Sequence, residues 1–153
     1  MADGRYNRAM ECAIKWVDGV QFLAETGSGH AIVIDGAPDV GGRNTGPRPM
    51  ETVLAGAGAC TASDVVVILK RSGQDVTGCQ VRLTAERAET DPKVFTKIHM
   101  HFTVRGRSVK RSIVENAIKL SHNKYCSASA MLGKTAAITH DFELLEEAGP
   151  VPA

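Results

Sequence analysis

Aromatic side chains are scarce: one Trp, two Tyr and four Phe stand among 153 residues. A chain of this length buries roughly 70% of its unfolded surface. Its core must therefore be built mainly from Val, Ile, Leu, Ala and Met. Excess charge is also missing, with 18 basic residues against 17 acidic ones. That balance argues against electrostatic capture of nucleic acid or of an anionic membrane. Long apolar runs are missing too. The longest uninterrupted aliphatic stretch, Val65 to Leu69, falls far short of the ~20 residues of a membrane span. The N-terminus has no apolar segment of signal-peptide length. These absences lead us to expect a cytoplasmic protein forming a single domain over residues 1–153, with an ordered core at about 10–147. Nothing in the pattern calls for a bound cofactor.

What the chain does have is local periodicity. Cys12, Ile14 and Trp16 alternate with polar or small residues, Asp18-Gly19 follows, and Val20, Phe22 and Ala24 resume the alternation. This is a hairpin pattern. Ala31 to Ile34 makes a third strand, and a Gly- and Pro-rich stretch from Gly36 to Pro49 reads as an ordered loop. About Met50 to Arg71 reads as a long helix, with Pro49 suited to its first turn, Lys70 and Arg71 to its negative end, and Gly73 to a left-handed turn beyond it. The helix is apolar nearly all round, which predicts enclosure by other elements. Cys79 to Ala85 and Ile98 to Val104 show clean strand alternation across the Asp91-Pro92 turn. Each has one wet and one dry face, the antiparallel pattern. Ile113 to Ser121 is an amphipathic helix, a short helix starts near Cys126, and Ile138 to Leu145 is the last strand. The order βββ-α-ββ-αα-β predicts an α+β domain with a sheet against a buried helix.

Chemistry points to the cysteines. Cys60 and Cys126 sit among small residues on or beside helices, whereas Cys12 and Cys79 fall on apolar strand faces and read as buried packing residues. In a reducing compartment all four rest as thiols, and any disulfide is transient, catalytic or sensing. The reactive species is the thiolate, only a few per cent of an ordinary thiol at neutral pH. Cys126, near a helix start, gains from the helix dipole. Cys60, in the third helical turn, gains little, and Asp64 one turn on would raise its pKa. Helix geometry alone favours Cys126 as the attacking group. No cysteine pair has zinc-finger spacing. His99 and His101 project from one strand face together with Lys97 and Arg105, which reads as a solvated surface. His122, four residues before Cys126, is a candidate base or an ordinary helix-end histidine. Gly56-Ala57-Gly58 is not a phosphate loop, because it follows no strand and lacks the Lys-Ser/Thr ending.

At these residues the chain resembles the OsmC/Ohr family of thiol peroxidases, most closely its YhfA-like branch. The matching stretches are Pro49-Met50-Glu51, Ala57-Gly58-Ala59-Cys60, Asp64-Val65-Val66 and Lys124-Tyr125-Cys126-Ser127. The resemblance implies an OsmC-like fold, an antiparallel sheet wrapped around a long central helix, in an intertwined homodimer with two interfacial active sites. It implies an organic hydroperoxide substrate, Cys60 as the peroxidatic residue, Cys126 as the resolving one, and an external dithiol reductant. Family peroxidases also use an arginine, often oriented by a glutamate. Glu51 stands near the family glutamate, and Arg43 and Arg48 are candidates for the arginine by position, although neither lies in a matching motif. On an ideal helix Glu51 lies some 13 Å along the axis from Cys60 and on the opposite face. Two other readings stand beside the hydroperoxide reductase. One is a redox-sensing or ligand-binding protein that retains the fold with little catalysis. The other is a cysteine acyl-transfer enzyme with His122 as its base.

Overall fold

The computed structural model describes residues 9–149. Elements follow the expected order: β1 Cys12–Asp18, β2 Gln21–Thr26, β3 Ala31–Ile34, α1 Pro49–Arg71, β4 Asp75–Arg87, β5 Phe95–Arg107, α2 Arg111–Leu120, α3 Ser127–Leu132 and β6 Ala137–Glu146. Two three-stranded sheets result, β1-β2-β3 and β4-β5-β6. The chain divides into two compact units, with the boundary between Val53 and Leu54 inside α1.

In the first unit, β1 and β2 form the hairpin, and Gly19 takes the left-handed φ of +53° that its turn requires. The indole N–H of Trp16 donates to the Gly19 carbonyl at 2.9 Å. Antiparallel register sets Trp16 opposite Phe22, Ile14 opposite Ala24, and Ala24 opposite Ile32. Ala24 is buried, but the flanking members of this row lie open, with Trp16 68%, Ile14 58% and Ile32 46% exposed. Cys12 shares β1 and is exposed, against the expected burial: its alternation is real, but β1 is exposed along its whole length.

The loop after β3 is ordered around one carboxylate. Asp35, 1% exposed, accepts N–H donations from Gly36 at 2.7 Å and from Arg43 and Thr45 at 3.1 Å each. The Thr45 hydroxyl adds a fourth at 2.7 Å. The Thr45 hydroxyl leads the stabilisation of the charged form, burial opposes it, and the Thr45, Gly36 and Arg43 amides add to it. Together they hold the Asp35 carboxyl at about 2, below its ordinary 3.8.

The long helix starts at Pro49 and ends at Arg71. The Gly73 and Gln74 N–H groups cap the Lys70 and Leu69 carbonyls, with Gly73 at φ +72°. Burial is narrower than expected. Ala57, Thr61, Val65 and Leu69, spaced by four, form one buried stripe with Gly58, while Val53 and Val67 are each 44% exposed. By length and composition α1 also passes as a membrane-crossing helix. In the second unit a Cβ on Gly58 would come within 2.6 Å of Leu83 Cδ1, so the glycine lets the α1 backbone approach β4.

The second sheet carries most of the core. Ile98, Met100, Phe102 and Val104 on its central strand, β5, are buried. β4 pairs antiparallel with β5, setting Val81 opposite Phe102 and Leu83 opposite Met100. β6 pairs parallel with β5, Ile98 opposite Ile138 and Phe102 opposite Phe142. The sheet is therefore mixed rather than wholly antiparallel. The chain between Arg107 and Ala137 forms a helical crossover, which returns β6 to run in the β5 direction. Cys79 lies on the edge strand β4 and is half-buried rather than fully enclosed, and burial pushes its thiol pKa up. α2 buries Val114, Ala117 and Ile118.

The Asp35 cage yields a signed pH prediction. A carboxyl held below its ordinary pKa contributes stability that is present above 3.8 and lost as pH falls through about 2. Asp35→Asn is expected to lower the thermal midpoint by a few degrees near neutrality. The gap from the wild type should narrow in melts taken between those two pH values. A gap independent of pH would show that packing, not charge, accounts for Asp35.

Candidate functional site

The second unit brings Cys60, Asp64 and Cys126 together. Cys60 and Asp64 lie one turn apart on α1. Both sulfurs and a carboxylate oxygen of Asp64 lie within 4.8 Å of one another. Cys126 arrives by a different route. α2 ends in a wide π turn, Ser121–Tyr125, after which Cys126 turns extended at φ −75°, ψ 103° and caps α3. Its N–H donates to the Ser121 carbonyl at 2.8 Å, and its sulfur accepts the Ser129 N–H at 3.3 Å. A cap position normally filled by an oxygen is here filled by sulfur.

Three hydroxyls complete the pocket. Thr61 Oγ1 lies 3.2 Å from the Cys126 sulfur, 3.4 Å from Ser129 Oγ and 3.0 Å from the Ala57 carbonyl. A hydroxyl has one hydrogen. Thr61 therefore donates either to the Ala57 carbonyl, with a protonated Cys126 donating to it, or to a Cys126 thiolate. Ser121 Oγ donates to Asp64 Oδ2 at 3.0 Å. In the sequence Thr61 and Ser121 read only as members of inward helical faces, and Ser129 has no motif of its own. Their signal was polar hydroxyls at positions the helical periodicity sends inward, and only the tertiary fold shows what they face.

The two sulfurs differ in acidity. Burial pushes the Cys60 thiol up, an N–H donation from Ala128 works against it, and Cys126 and the Asp64 carboxylate push it further up. None of these groups is a cation. Burial pushes Cys126 up as well, but hydrogen bonds from Ser129, Thr61 and Cys60 outweigh it, and the net shift is downward. In a single chain Cys126 is the better thiolate, as helix geometry suggests. Access runs the other way: Cys126 is 2% exposed, while Cys60 is half-buried.

The remaining candidates have partners of their own. The Arg43 guanidinium pairs with Asp18. Glu51 engages Arg48, accepting its backbone N–H at 2.9 Å and pairing with its guanidinium at 3.6 Å. His122 meets the ring of His140 edge-on at 5.3 Å. His99 and His101 hydrogen-bond Asp141 at 3.1 and 2.7 Å on a solvated strand face.

Comparison with known proteins decides the lineage. The OsmC-like protein family profile matches residues 42–141. The chain belongs to the OsmC-like family. It is 48% identical to protein YhfA of Escherichia coli K12 over 139 residues, which cover 89% of this chain and 98% of YhfA. A hypothetical protein from Aquifex aeolicus VF5 superposes with a TM-score of 0.81 at 29% identity, covering 92% of this chain and 99% of that one. The fold also matches the organic hydroperoxide resistance protein OhrB of Bacillus subtilis, with a TM-score of 0.61 at 15% identity over 89% and 98% of the two chains. At that identity the likeness is one of fold.

The acidity order is testable in this OsmC-like protein. Cysteine Cβ NMR resonances followed across pH should show Cys126 ionising at lower pH than Cys60. Thr61→Val should move the Cys126 transition upward by removing a donor to the thiolate. Coincident transitions would show that the hydroxyl pocket does not separate the thiols.

Proposed function

We propose that the protein is a thiol-dependent organic hydroperoxide reductase acting in oxidative-stress defence. One observation carries the reading: in an OsmC-family chain, the sulfurs of Cys60 and Cys126 share a pocket within 4.8 Å. Cys60, the more accessible sulfur, attacks the distal oxygen of ROOH as thiolate. The O–O bond breaks, the alkoxide leaves and takes a proton to become ROH, and Cys60 becomes a sulfenic acid. The Cys126 thiolate then attacks the Cys60 sulfur, expelling hydroxide, which is protonated to water, and forming an intramolecular disulfide. An external dithiol reduces it by exchange, suited to a reducing, cytoplasmic setting. The hydrogen bonds on Cys126 fit this division, since a resolving group must be a thiolate when the sulfenic acid appears.

Cys60 still needs a cation. Within the first unit Glu51 holds Arg48 at both backbone and side chain, whereas Arg43 pairs with Asp18. We also propose a homodimer. It is supported by the open apolar row of Ile14, Trp16 and Ile32 and by exposed Val67 on α1. Light scattering should then give twice the 16.3 kDa chain mass.

The decisive experiment titrates reduced protein with one equivalent of cumene hydroperoxide, followed by intact mass and peptide mapping. Loss of ~2 mass units, with a Cys60–Cys126 disulfide, is expected. Cys60→Ser should abolish consumption, and Cys126→Ser should stop at a sulfenic acid or mixed disulfide. Arg48→Ala should slow the first step by about tenfold or more, and Arg43→Ala should not. Unchanged consumption by Cys60→Ser would refute the reading. Oxidation of one equivalent without dithiol-driven turnover would favour the redox-sensing alternative.

A further inference from the structure

The catalytic reading leaves Asp64 without a purpose. A carboxylate beside two sulfurs opposes thiolate formation, and a site built only for thiol oxidation gains nothing from it. Yet Asp64 is held in place, with Ser121 Oγ donating to Oδ2 at 3.0 Å, and it faces the same point as both cysteines. Among the described residues these three form the one cluster of metal-capable side chains whose donor atoms all lie within 4.8 Å of one another. Around a tetrahedral zinc with Zn–S near 2.3 Å, ligand atoms stand about 3.8 Å apart. A small inward rotation of the side chains would meet that spacing.

We propose that the reduced protein binds a thiophilic divalent cation, Zn²⁺ foremost, through Cys60 Sγ, Cys126 Sγ and an Asp64 carboxylate oxygen. Two sulfur donors in three exclude the hard cations Mg²⁺ and Ca²⁺, which require oxygen. Three protein ligands leave the fourth position to water or an exogenous ligand. Supporting groups are already in place. Ser121 orients the carboxylate, and Thr61 and the Ser129 N–H hold the Cys126 sulfur. Binding displaces both thiol protons: Zn²⁺ and two S–H groups give a dithiolate complex and two H⁺. The cation and a hydroperoxide then compete for the same sulfurs, and disulfide formation releases the metal. This competition rests on the hydroperoxide reading; the binding does not.

The test uses the reduced full-length protein carrying Cys12→Ser, because exposed Cys12 is a stray thiol. Zn²⁺ is titrated against a chromophoric chelator, and Co²⁺ substitution is followed by absorbance. One Zn²⁺ per chain, about two protons released and a thiolate-to-cobalt charge-transfer band are expected. Asp64→Asn should weaken Zn²⁺ at least about tenfold, Cys60→Ser should weaken the band, and the oxidised protein should bind none. Binding that survives both Asp64→Asn and oxidation would overturn the site, as would absence of the band. Cumene hydroperoxide oxidation of the metal-free protein is scored separately. Oxidation without Zn²⁺ uptake refutes only the metal site, and Zn²⁺ uptake without oxidation refutes only the peroxide chemistry.

Discussion

Two sulfurs and a carboxylate share one pocket, and all three gain negative charge when deprotonated. At short range in a partly dry site such groups cannot all ionise cheaply. The second unit handles this by directing its hydrogen-bond donors unevenly. Cys126 receives the Ser129 amide and faces the Thr61 hydroxyl, and Asp64 receives Ser121. Cys60 has the Ala128 amide set against two groups that raise its pKa. Protons are therefore expected on Cys60 first. The Thr61 hydroxyl can follow that choice, turning between the Ala57 carbonyl and the Cys126 sulfur as charge moves.

The surrounding structure is what makes such placement possible. Cys60 and Asp64 align because a helix repeats every 3.6 residues, and the buried row Ala57, Thr61, Val65, Leu69 anchors that helix. Cys126 has no regular element to carry it. It depends on the wide turn that ends α2 and on the short α3 it caps. The Ser121 carbonyl holding the Cys126 N–H and the Ser121 hydroxyl holding Asp64 tie the turn to α1 through one residue.

Much of this was legible in the chain. Alternation located the strands, Asp18-Gly19 located the hairpin, and Pro49 and Gly73 bracketed α1. Cys60 and Cys126 stood out through their small neighbours. The direction of β6 was not legible, because residues alternate alike in parallel and antiparallel strands, and only the crossover decides it. The exposure of Cys12 escaped for a related reason: periodicity says which residues share a face, never what covers it. The roles of Thr61, Ser121 and Ser129 were hidden because a buried hydroxyl has meaning only through its partner, and these partners lie 57 to 68 residues away.

Neither sulfur in the single chain has every property of a peroxide-attacking group. Cys126 has the lowered pKa but is almost wholly covered, and Cys60 is reachable but has its proton held. Peroxide reduction through Cys60 therefore requires positive charge that its immediate neighbours do not supply. A guanidinium and a bound divalent cation each bring positive charge to a thiolate, with opposite consequences. The guanidinium stabilises a thiolate and leaves its lone pairs free to attack, whereas the metal stabilises the thiolate by taking those lone pairs. The same anionic pocket can thus be armed by one kind of cation and silenced by the other.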